Sequence, residues 1–362
     1  MSQAKKRNGY IDVIKFLFAL IVTDFHVNTG TFPGGRIVVE GFFMISGYLM
    51  MQSIQRNKYP QDSLGVSTVR FIYQKFKGLF LYLFPAVVIS YVLACVRVER
   101  PIEESLERVP LLMFDFFPLR EAGFKADYVV GISWYLSAMF LALAVLYPLC
   151  KKFRTSMTMI VCPISALLIY GALSNYYGHM AIATEFLNGS WLSAGFLRGF
   201  AGCAAGCALY EACNALSKKK VTMTGRAFFT LLEIAGFVFF FYAMHNYPKS
   251  RYDYVLIFVI FMLLLIGIGG ISLTSLLTRG KLTKVFGTAS TLIVLLHYSL
   301  NVFFTHLFGP KYHETSKFNL YLITLAGVCF AVWFWGELVH KVLGRLSKFA
   351  RVRFWRSEEG NS

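Results

Sequence analysis

Ten apolar runs of membrane-spanning length recur along the chain, at 10–28, 37–54, 78–97, 132–150, 156–175, 190–211, 227–245, 253–272, 285–308 and 318–340. A helix needs about 20 mostly apolar residues to cross a bilayer, and backbone polar groups inside it must bond within their own segment. An all-α integral membrane bundle of about ten spans is therefore expected. Charge agrees, since only 15% of residues are Asp, Glu, Lys or Arg, against about 25% in an ordinary soluble domain. That shortage excludes a soluble enzyme, a nucleic-acid-binding module and a disordered chain. Residues 1–346 read as one polytopic membrane domain and 347–362 as a short basic tail. No Ser/Gly/Pro-rich linker marks a second domain, and no internal repeat of the transporter kind is visible.

The net charge of +17 sorts by side. Starting from Lys5, Lys6 and Arg7, alternate segments carry the basic clusters: Arg56 to Lys77, Lys151 to Arg154, Lys218 to Arg226, Arg279 to Lys284, and Lys341 onward. The intervening segments are poorer in cations, and the longest of them, 98–131, mixes arginines with Glu99, Glu103, Glu104, Glu107, Asp115, Glu121 and Asp127. The positive-inside rule then predicts both termini in the cytoplasm of a plasma (inner) membrane protein. The first run follows Lys5, Lys6 and Arg7 as a signal peptide would, but it contains Asp12, Lys15, Asp24 and His26 and lacks a small-x-small cleavage site. It is expected to be a retained helix. The seven cysteines show no Cys-x-x-Cys pair or Cys/His ligand spacing, so neither a disulfide framework nor a metal site is expected.

Ionisable side chains at membrane depth cost about 3 kcal/mol each and by default mark function. Lys15 and His26 are eleven residues apart, within about 20° of three full helical turns, so they share one face about 16 Å apart along the axis. A column of that kind suits a protein that moves a group across the bilayer. Glu40 begins the second run at a depth similar to His26. Two partners are open to it: the His26 ring, whose tautomer a carboxylate would fix, and Arg36, four residues earlier on the same helix.

At this point the residues resemble a known family. Lys15-x10-His26, followed by Glu40-Gly-Phe-Phe-Met-Ile-Ser-Gly47-Tyr, is similar to the opening of the membrane-bound acyltransferase-3 family. That family's first helix carries Arg or Lys, ten residues, then His; its second reads as an acidic residue, paired aromatics and a Ser-Gly step. The likeness continues at Trp134-Tyr135-Leu136, at Arg198-Gly-Phe-Ala-Gly-Cys-Ala-Ala-Gly206, and from Phe286-Gly287 through Ser290 to Leu296-His297. The resemblance implies transfer of an acyl group, usually acetyl, from cytoplasmic acyl-coenzyme A to a hydroxyl of a cell-envelope glycan, peptidoglycan or related acceptor. It also implies that His26 is the catalytic histidine and Lys15 its basic partner. Where the family commonly has an Arg-rich segment before the third helix, this chain has Arg70, Gln74, Lys75 and Lys77. The lysines keep charge without a guanidinium's bidentate phosphate geometry.

The reading that results is a membrane O-acyltransferase with His26 as general base, or as the group that first accepts the acyl. Glu40 orients His26, and Lys15 and Arg198 stabilise charge. Trp134, Tyr135, Ser46 and His297 contact substrate; Arg70, Lys75 and Lys77, in the inner loop 55–77, bind the donor's phosphates. Each has a plainer reading: an interfacial aromatic belt for Trp134 and Tyr135, packing for His297, a kink for Ser46, positive-inside bias for any one lysine. Gly199, Gly202 and Gly206 most simply permit close helix packing. Acyl-CoA is a substrate rather than a tightly bound cofactor; the other partners are a glycan or lipid-linked saccharide and the bilayer, with no nucleic acid. A transporter or flippase using the same buried charges is the alternative, and a receptor or scaffold leaves those charges without a task.

Overall fold

The structure, a computed structural model, describes residues 8–117, 120–122, 129–182, 185, 192–278, 280 and 282–359, with side chains described as far as 342. No strand occurs among the described residues. The long helices are α1 (Gly9–Val27), α2 (Val38–Arg56), α3 (Leu64–Arg97), α4 (Ser133–Lys152), α5 (Cys162–Tyr177), α6 (Ala194–Leu216), α7 (Met223–Asn246), α8 (Tyr252–Gly269), α9 (Thr283–Phe308) and α10 (Lys317–Glu359). Each matches one expected run. Among the described residues, eight helices are long and apolar enough to cross a membrane. The two outside that set are α1, with Asp12, Lys15 and Asp24, and the Gly/Ala-rich α6.

Three boundaries differ from expectation. The basic segment before the third run is helix rather than loop, because Ser63 caps α3 by accepting the Val66 N–H at 3.3 Å. Only residues 57–63 connect α2 to α3. Before α5, a π turn at Met157–Val161 joins the short helix Arg154–Ser156 to the rest. Last, the boundary expected at 346/347 falls inside α10.

The two most intimate packings are α1 on α9 and α2 on α6. The second is a glycine contact. A Cβ on Gly47 would lie 2.0 Å from the Cys203 carbonyl oxygen, and one on Gly206 2.0 Å from that of Met44. Backbone meets backbone there, so no side chain can yield. Gly206→Ala should therefore cost about 3 kcal/mol by overpacking and lower the thermal midpoint in detergent. Gly65→Ala, where a Cβ meets nothing within 4 Å, is the control; equal midpoints for the two variants would contradict the packing.

Between α3 and α4 the chain forms short helices at Ile102–Arg108 and Met113–Phe116. Buried Asp115 pins the return to α4, since its carboxylate accepts the Val129 N–H at 3.0 Å and the Val130 N–H at 3.2 Å. Burial pushes the Asp115 carboxyl up to about 6, against the downward pull of those two N–H groups and of Arg120. The folded loop therefore holds this proton more tightly than an open chain, where the ordinary value is 3.8. The stabilisation is full below about 3.8 and is lost as pH rises through about 6. Exchange protection of the Val129 and Val130 amides, corrected for intrinsic rates, should fall about tenfold from pH 5 to pH 7.5. Asp115→Asn should abolish the dependence; persistence of the same slope would assign it to another group.

Candidate active site

Helix α2 runs along three cavities in succession. Near its start, Val39 and Phe42 line a cavity of about 340 Å³ with His26, Trp134, Tyr135, Arg198 and His297. Further along, Phe42, Ile45, Ser46 and Leu49 line a second, of about 270 Å³, with Lys15 and Lys75. At its end, Ser53, Arg56 and Asn57 line a third, of about 160 Å³, with Lys58, Arg70 and Lys151. From Phe42 to Arg56 the column follows about 21 Å of helix. The first and second cavities share Phe42, Ile132, Tyr135 and Val294. One layer of side chains therefore separates the histidine cavity from the lysine cavity.

His26 sits in the last turn of α1, which ends on Asn28 in the left-handed conformation at φ 63°. Asp24, on the same turn, serves the loop beyond: its carboxylate accepts the Thr29 hydroxyl and, at 2.9 Å, the Phe32 N–H. The His26 carbonyl accepts the Asn301 amide at 2.7 Å, and Asn301 is held in turn by the Tyr312 hydroxyl at 2.8 Å. Backbone position is thus set from α9. The imidazole makes no hydrogen bond to a described residue and lies with its centroid 5.2 Å from His297 and 5.0 Å from Tyr298.

His297 is fully buried. Its Nδ1 is 2.8 Å from the Ile293 carbonyl and 3.1 Å from that of Val294. Carbonyls only accept, so Nδ1 carries the proton and Nε2 is left as an acceptor. That Nε2 is buried and has no partner among the described residues. Two adjacent imidazoles with ring nitrogens uncommitted can take up and relay a proton.

The expected pairing of Glu40 is not what the fold makes. Its Oε1 accepts the Arg198 Nε–H at 2.8 Å and lies 2.7 Å from Arg198 Nη2, while Oε2 accepts the Tyr170 hydroxyl at 2.5 Å. Both oxygens are engaged, because this face of α2 turns toward α6 and α5 whereas His26 faces α9. Glu40 therefore orients Arg198 and not His26. The other candidate, Arg36, pairs instead with Asp253 of α8 at 2.7 Å, and Asp253 also accepts the Met180 N–H at 2.8 Å. Arg198 further donates to the Ile182 carbonyl and lies 5.0 Å over the Trp134 ring. Trp134 and Tyr135, at the start of α4, line the histidine cavity and pack against Phe43 at 6.2 and 4.8 Å.

The remaining residues separate. Ser46 lines the lysine cavity, not the histidine one, and donates to the Met139 sulfur at 3.2 Å. Arg70 lies in the third cavity, paired with Asp62 at 2.9 Å and 4.2 Å over Tyr59. Lys75 lies on another face of α3, joining Lys15 with Gly78, Leu79 and Tyr82. Lys77 is exposed and lines none of the three cavities. Grouping Arg70, Lys75 and Lys77 as one cluster treats as a loop what is helix, and 100° steps disperse it.

Four contributors were not foreseen: Tyr170 beneath Glu40, Asn301 and Tyr312 behind His26, and Tyr298 beside it. Asn301 alone carried a signal, one turn beyond His297 on the same face. The cysteines hold another surprise. The sulfurs of Cys150, Cys162 and Cys207, buried on α4, α5 and α6, lie within 4.8 Å of one another. Spacing within a single run does not disclose a cluster drawn from three, so the absence of a Cys-x-x-Cys pair carries no information on it. None of the three lines the cavity column. No curated protein and no solved structure matches this chain. A family model described as an acyltransferase domain matches residues 8–337.

Proposed function

The chain belongs to the acyltransferase-3 family and is a multi-pass membrane acyltransferase; from that premise we propose that it moves an acyl group, acetyl foremost, from cytoplasmic acyl-coenzyme A to a hydroxyl of a cell-envelope glycan or related acceptor. The observation that carries this reading is the column of three cavities, basic at one end and closed by His26 at the other. Arg56, Lys58, Arg70 and Lys151 surround a pocket suited to the donor's phosphates. The lysine cavity then takes the narrow arm that carries the thioester, and the layer at Phe42 and Tyr135 is where that arm meets the acceptor. In this topology both termini and the basic pocket face the cytoplasm, all ten long helices span, and the protein sits in the plasma membrane.

The chemistry assigned to His26 is general-base catalysis. Its ring nitrogen removes the acceptor's hydroxyl proton as the oxygen attacks the thioester carbonyl. The carbon–sulfur bond breaks, and the proton passes to the departing thiolate. If the ring accepts the acyl group first, the same nitrogen forms and then loses the acyl bond. Arg198, fixed by Glu40 and Trp134, sets a positive wall beside the developing oxyanion. Lys15 steadies the donor on its way to the septum. Purified protein in lipid vesicles, given acetyl-CoA and deacetylated envelope glycan, should release free thiol only when both are present.

Lys15→Ala tests the column separately. It should raise the KM for acyl-CoA about tenfold or more, and Lys15→Arg should recover part of the loss because the charge survives in a different shape. Unaltered specific activity in Lys15→Ala would show that the lysine serves structure alone.

A further inference from the structure

A fourth cavity, of about 520 Å³, opens beside the histidine cavity at the end of α3. Arg97, Arg100, Arg108 and Arg120 line it together. Glu104 serves two of them, at 3.4 Å from Arg100 and 3.1 Å from Arg108. Arg120 reaches the Ser133 hydroxyl at 3.4 Å and lies near Asp115 and Glu121. Arg97 meets no carboxylate among the described residues. Leu93, one turn before Arg97 on α3, and Val302 and Phe303 of α9 give the same cavity an apolar lining. Guanidinium groups and hydrocarbon lining one cavity fit an anion that carries an apolar chain.

The partition between this cavity and His26 is one ring thick. Tyr298 lines the arginine cavity and also stands edge-on to His26, centroids 5.0 Å apart. Gly131, on the wall of the histidine cavity, makes room for that ring, since a Cβ there would fall 2.1 Å from it. A molecule anchored by its charge among the arginines needs to reach past one side chain to bring a hydroxyl to the imidazole.

We propose that the arginine cavity is the acceptor's anchoring site and that the acceptor is a saccharide carried on a phosphorylated lipid. The phosphates lie among Arg97, Arg100 and Arg108, the lipid chain lies along Phe303, and the sugar turns past Tyr298 toward His26. This rests on the acyltransferase reading and adds the class of acceptor to it. A phospholipid headgroup offers the same phosphate chemistry, so the test compares the two sources.

Full-length protein in phosphatidylcholine nanodiscs is titrated with farnesyl diphosphate as the probe, with farnesol, inorganic pyrophosphate and phosphatidylglycerol as competitors. Farnesyl diphosphate should bind saturably, and Arg97→Gln combined with Arg100→Gln should weaken it about tenfold or more. Arg97→Lys should fall between, showing that charge alone does not suffice. Farnesol and pyrophosphate should compete poorly, since each offers half of the recognition. Phosphatidylglycerol competing as well as the diphosphate would overturn the proposal in favour of a lipid-headgroup site. Binding unchanged in the double variant would overturn it outright. Because the readout is binding and not turnover, either failure leaves the reading of His26 to be judged on acyl transfer.

Discussion

His26→Ala is expected to lower acyl transfer by about a thousandfold, within the range ascribed to positioned general bases, while the protein still folds and inserts. The side chain accepts and donates nothing among the described residues, so its loss leaves no buried group orphaned. Its backbone carbonyl, clamped by Asn301 at 2.7 Å, is unaffected by the change. His297→Ala should cost less, because that ring lies behind His26 with its Nδ1 committed to the Ile293 carbonyl at 2.8 Å. Activity and the yield of monodisperse protein, measured on the same preparation, separate loss of chemistry from loss of fold. Near-normal turnover in His26→Ala would move the base to His297.

The second large effect falls on folding. Arg198→Met should destabilise the bundle by about 4 kcal/mol, because it strands the Glu40 carboxylate at 0% exposure with only the Tyr170 hydroxyl for a partner. Replacing both partners by apolar residues of similar size removes the stranded charge. Arg198→Met with Glu40→Leu should therefore recover most of the folded yield. Transfer should stay low in the double variant, since the positive wall beside His26 is gone. Thermal unfolding in detergent checks the first expectation and specific activity the second. If the double variant unfolds no later than Arg198→Met alone, a stranded Glu40 carboxylate is not what destabilises the single variant.

How far the sequence disclosed this arrangement depends on the range of each interaction. Apolar runs and basic clusters are local, and the ten helices follow them closely. The shared face of Lys15 and His26 is also local, being fixed by helical pitch, and the two residues line neighbouring cavities along one wall of α1. Glu40 shows where locality ends. Its place in the first turn of α2 follows from the apolar run, but the choice among His26, Arg36 and Arg198 turns on which helices flank α2, and spacing along the chain carries no information on that. Lys77 failed for a different reason. Reading 64–77 as loop hid the 100° steps that send Lys75 inward and Lys77 out. The clamp on His26 and the three-thiol cluster involve residues far apart in sequence, joined only by the packing of the bundle.

In the proposed reaction an acyl group enters at the basic end and reaches a hydroxyl at the His26 end. Proteoliposomes sorted for the basic end facing outward, loaded with deacetylated envelope glycan and supplied externally with acetyl-labelled coenzyme A, test it most directly. Label should appear covalently on the enclosed glycan with wild-type protein and be absent with His26→Ala. Label that reaches the lumen only as intact acetyl-CoA, or that joins glycan only when donor and glycan share a compartment, would contradict transfer through the column.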